Sequence, residues 1–98
     1  MAYAYYLRNL RRRYYDCWWG ARKTADQLYT SMGTLRSMIS IQQSCYKVDD
    51  VGGGGNYLNY LYEKQLGIYN NIVNNILPWT YNKINSLDYQ IVEEESAE

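Results

Sequence analysis

The residues in this chain best suited to chemistry do not assemble into a reaction centre. Histidine, the commonest general base near neutral pH and the commonest metal ligand, is absent from all 98 positions. The two thiols, Cys17 and Cys45, lie 28 positions apart. That is about 42 Å along a straight helix, whereas a disulfide needs its α carbons within about 7 Å. Two helices in parallel register could bridge cysteine to cysteine, but the preferred reading is two core cysteines acting as small hydrophobes in a reducing compartment. With no Cys-x-x-Cys pair and no histidine, zinc is not expected.

The carboxylates are no better arranged. Asp49 and Asp50 lead into Gly52–Gly55, but the alternating acidic ligands of a calcium loop are missing. The glycine run itself lacks the Lys-Ser/Thr and the preceding strand of a phosphate-binding loop. Asp16, Asp26, Glu63 and Asp88 show no spacing that pairs two carboxylates, and no Ser or Cys has a visible base. The expectation is a protein with no catalytic, cofactor-binding or metal-binding residues, and so not an enzyme.

One basic patch remains. Arg8, Arg11, Arg12 and Arg13 run into Tyr14 and Tyr15, the mixture of cations and aromatics that nucleic-acid surfaces use. Against that reading, Asp16 follows Arg12 by one helical turn, and the chain carries ten basic and ten acidic residues for a net charge of zero. A solvated or protein-facing surface is preferred, with nucleic acid the lesser alternative. Charge is also uneven along the chain. Residues 1–36 carry seven basic groups against Asp16 and Asp26, and the rest carries three basic against eight acidic. If the chain doubles back, its basic start meets its acidic end.

The elements that position these residues follow from apolar spacing. From Tyr3, apolar or small residues recur at steps of four and three through Leu7, Leu10, Tyr14, Cys17, Ala21, Thr24, Leu28, Ser31, Leu35, Met38, Gln42 and Cys45. This heptad stripe predicts one helix over about residues 2–47, with Gly20 and Gly33 as its weak points. The loop-forming stretch at about 49–56 is expected to reverse the chain. A second helix is expected over about 57–92, through Leu58, Leu61, Gln65, Ile68, Ile72, Ile76 and Trp79, then Ile84, Leu87 and Ile91, kinked near Pro78. Residues 93–98 read as a frayed acidic tail. The fold class is therefore all-α, a single domain over 1–98: an antiparallel helical hairpin of two long helices that forms part of an intermolecular helical bundle.

A slender hairpin buries one stripe per helix, yet the chain holds thirteen Tyr and three Trp, so much apolar area is left for a partner. Candidate partner-interface residues are Trp18, Trp19, Leu28, Leu35, Ile68, Ile72 and Trp79, core first and interface second. No run reaches the roughly 18 apolar residues of a membrane span. Met1 to Leu10 carry Tyr and Arg where a Sec-type signal would carry an unbroken apolar core.

In size and architecture the chain resembles the small helical-hairpin proteins of type VII secretion, the WXG family and the helical partners encoded with LXG-type toxins. Trp18-Trp19-Gly20 satisfies Trp-x-Gly, and Tyr89 with Glu93 matches the Tyr-x-x-x-Asp/Glu export signal of such families. The Trp-x-Gly falls inside the first helical stripe rather than in the turn, which places the resemblance nearer the LXG-toxin partners. The resemblance implies a non-catalytic targeting or chaperone partner that binds the helical domain of a secreted toxin or a sister small helical protein. It also implies a bacterial cytoplasmic location with export that bypasses Sec, and Tyr89 and Glu93 as export-signal candidates. A self-associating structural coiled coil is the other alternative, and it needs no second gene product.

Overall fold

The computed structural model describes Ala2–Cys45 and residues 53–97. The order is α1 (Ala2–Cys45), α2 (Gly53–Asn71), a π-helical turn (Ile72–Ile76) and α3 (Leu77–Ser96). No strand occurs among the described residues. The molecule measures 76 × 15 × 14 Å with a radius of gyration of 21.5 Å, against about 13 Å for a compact chain of 100 residues. It is a rod. α1 runs its 44 residues through Gly20 and Gly33 unbroken.

The second arm lies along the first. Arg11 meets Asp88, the Tyr29 and Tyr69 rings lie 6.2 Å apart, and Arg36 sits 6.0 Å over the Tyr62 ring. As the position on α1 advances, the position it meets on the second arm falls back.

The inward column of α1 runs Ala4, Leu7, Arg11, Tyr14, Trp18, Ala21, Ala25, Leu28, Met32, Leu35, Ile39 and Gln42, each buried or half-buried. Of the thirteen expected stripe residues, Leu7, Leu10, Tyr14, Ala21, Leu28, Ser31, Leu35 and Gln42 are buried or half-buried. Tyr3, Cys17, Thr24, Met38 and Cys45 are exposed, and the neighbours Ala4, Trp18, Ala25 and Ile39 turn inward beside the first four. The physical reason is burial. The adopted column encloses Trp18 and Ile39 in place of Cys17 and Met38, and it spares Thr24 the loss of water around its hydroxyl. Cys17 and Cys45 are consequently exposed and free, not core hydrophobes. Leu7, Leu87 and Ile91 form a buried cluster, with Leu10 and Tyr14 packed against it.

The second arm changes frame midway. Leu58, Gln65 and Ile72 keep a seven-residue period, as do Thr80, Leu87 and Glu94, but Ile72 and Thr80 are eight apart. The π-helical turn absorbs the extra residue. Leu77 N–H donates to the Ile72 carbonyl, five residues back, so one more residue fits in the turn and the apolar stripe stays on α1. Pro78 explains its place. In an α-helix the proline ring crowds the carbonyl four residues back and supplies no N–H, and the wider turn just ahead of Pro78 relieves both. Thr80, with no exposed surface, donates its hydroxyl to the Ile76 carbonyl at 2.9 Å, with the Leu77 carbonyl at 3.1 Å.

The boundaries differ from the spacing-based ones at both ends of the second arm. Gly53, Gly54, Gly55 and Asn56, expected in the turn, belong to α2, and no described glycine has positive φ. Residues 49–52 of the expected turn lie outside the described residues. With those glycines the second arm spans 53–96, 44 residues, the same length as α1. At the other end Glu93–Ser96 are helical rather than a frayed tail. Glu95 pairs with Arg8, which offsets the cost of acids at a helix C-terminus.

Candidate protein-interaction surface

Two helices in contact bury two facing stripes and leave the rest of each helix to solvent. Here that remainder is aromatic. Tyr3, Tyr5, Tyr6, Tyr15, Trp19, Tyr29, Tyr57, Tyr60, Trp79, Tyr81 and Tyr89 are all exposed, along with Met38, Ile41, Ile68 and Val92. The expected interface residues divide accordingly. Leu35 and Ile72 are buried in the seam between the arms, Trp18 and Leu28 are half-buried there, and Trp19, Ile68 and Trp79 are exposed.

Several aromatics are held in place by neighbours. Trp79 stands edge-on to Tyr14 with centroids 5.5 Å apart, and the Lys83 ammonium lies 5.9 Å from its ring centroid. Trp18 and Trp19 are edge-on at 5.1 Å, with Arg22 5.9 Å from the Trp18 ring centroid. Edge-on pairs and cations over rings each restrict rotamers and pre-set the surface.

The basic patch is partly neutralised within the chain. Arg8 pairs with Glu95 and Arg11 with Asp88 at 2.8 Å. Arg12 lines an open cleft of about 610 Å³ with Tyr5, Arg8, Tyr15, Asp16 and Asp88. Two carboxylates among those arginines lower the field that a phosphate backbone would require. Tyr89 and Glu93 are exposed one turn apart on α3.

Among the described residues no group of three or more His, Cys, Asp or Glu could hold a metal ion, and no helix is long and apolar enough to cross a membrane. Spacing alone did not reveal which side of the seam carries the charges. That became visible only once the inward column was fixed. No family model, curated protein or solved structure matches the chain.

Proposed function

We propose that this protein is a non-catalytic helical adaptor: an antiparallel hairpin, its second helix interrupted ahead of Pro78, that completes a helical bundle with a partner protein. The observation that carries this reading is surface area. The rod exposes 7385 Å², where a compact protein of its mass exposes about 5,800 Å². The excess, about 1,500 Å², is roughly twice what one side of a standard protein interface buries. The side chains in that area are Tyr and Trp, which combine large contact area with a polar tip that tolerates water before the partner arrives.

Within the type VII secretion resemblance, the partner is the helical domain of an LXG-type toxin or a sister small helical protein. Tyr89 and Glu93 are then the export signal, read in the bacterial cytoplasm and carried out without a Sec signal. Their exposure on one side of α3 supports that role, since a receptor reads what protrudes. Molar mass by light scattering, with circular dichroism on the same sample, tests the adaptor reading. A monomer that gains thermal stability on co-expression with the toxin domain supports it, and a stable homo-oligomer replaces it with the self-associating coiled coil. Tyr89→Ala should block export while leaving the fold intact, and normal export of that variant would remove the signal assignment.

A further inference from the structure

The two sides of the seam are chemically unlike. On one side lie the ion pairs Arg8–Glu95 and Arg11–Asp88. On the other, the column Tyr3, Leu10, Cys17, Thr24, Ser31 and Met38, spaced seven positions apart, runs the length of α1 without a charge. Tyr3, Cys17, Thr24 and Met38 of this column are exposed, and Leu10 and Ser31 are half-buried at its inner edge. Helical geometry sets Ile68 and Trp79 of the second arm beside it, since Trp79 reaches Tyr14 on the side opposite the Arg11–Asp88 pair.

Resting on the adaptor reading, we propose that this uncharged flank is a docking groove for an amphipathic helix of another protein, with an apolar contact stripe and carboxylates along its borders. Charge decides the occupant. The flank is bordered by Arg13, Lys64 and Lys83, for which no ion pair occurs among the described residues, against the single acid Glu93. A second copy docked flank to flank would set these cations against one another, whereas a helix with acidic borders pairs with them. The groove also has room at its centre. Cys17, Gly20 and Thr24 are small, and a Cβ placed on Gly20 would meet nothing within 4 Å, so an incoming helix can approach α1 closely there.

The test uses the full chain carrying Cys45→Ser, which leaves Cys17 as the only thiol. Two synthetic helical peptides of four heptads serve as probes, with the same Leu/Ala stripe but Glu borders in one and Lys borders in the other. The Glu peptide should bind about tenfold more tightly at low salt, with the advantage shrinking as salt rises. In the complex, alkylation of Cys17 should slow by at least about tenfold because the flank is covered. Gly20→Leu should keep the helical dichroism and melting temperature yet weaken the Glu peptide by about tenfold, because the notch is filled. Equal affinity for the two peptides, or binding to neither, overturns the proposal. Binding that leaves Cys17 fully reactive also overturns it, while the adaptor reading survives on another surface. Protection of Cys17 by self-association without peptide overturns the occupant, and it coincides with the homo-oligomer result that would end the adaptor reading.

Discussion

Arg11 donates from Nη1 to Asp88 Oδ1 at 2.8 Å, joining positions 77 apart in the chain. Arg11 is the one charged residue in the inward column of α1, so its stem packs while its head reaches the edge. Both side chains remain more than two-fifths exposed, and solvent screening keeps such a pair to about 0.2–1 kcal/mol. A double-mutant cycle with Arg11→Ala and Asp88→Ala should give a coupling in that range, diminishing in high salt. A coupling of several kcal/mol would show the pair to be effectively buried.

Leu7 should matter far more. Its side chain is 2% exposed and packs with Leu87 and Ile91. Leu7→Ala should cost about 2–4 kcal/mol, the transfer of the lost methyl groups plus a cavity the rod cannot fully close. Thermal melts of Leu7→Ala beside the exposed control Tyr5→Ala check this, with the control shifting little.

The frame change at the π-helical turn makes an unusual prediction about chain length. Deleting Asn74 together with Pro78→Ala makes the second arm one continuous heptad, with Ile72 and Thr80 seven apart. The double variant should fold with its melting temperature kept or raised, since both the extra residue and the ring that required it are gone. Inserting one alanine between Asn85 and Ser86 should instead turn Leu87 and Ile91 about 100° off the seam and unfold that end. Circular dichroism melts of the two variants distinguish the outcomes.

Gln65 and Gln42 each keep a buried side-chain Oε1 without a hydrogen-bond partner. An unsatisfied buried acceptor costs about 1–3 kcal/mol, so Gln65→Leu should stabilise the isolated chain and raise its melting temperature by several degrees. A fall in melting temperature would mean that the amide is satisfied in solution.

The helical class was legible in the spacing of apolar residues. Leu7, Leu35, Ile84, Leu87 and Ile91 announce themselves by period alone. The alternate column was not legible, because Cys17 and Trp18, or Met38 and Ile39, are adjacent and both apolar, and only packing against the opposite arm selects between them. The glycines at 53–55 misled for a similar reason. Their propensity favours a turn, and the length of α1 opposite them outweighs it. The π-helical turn left a trace, an eight-residue step before and after Pro78, but that step could as well have been a kink. The division of the surface into a charged and an uncharged side depends on the seam's phase and became readable only with it.

The distribution of packing along the rod has a consequence for how the molecule opens. Among the described side chains, every buried one of the second arm lies from Ile72 onward. The buried cluster of Leu7, Leu87 and Ile91 therefore joins residues remote in sequence. In native-state hydrogen exchange, amides of 4–14 and 80–91 should exchange slowest, and those of 57–69 orders of magnitude faster. That cluster acts as a clasp, and closing it must await a long loop. Folding should be slow for a helical protein, and the protein's survival against proteases should depend on Leu7, Leu87 and Ile91 more than on the side chains of α2.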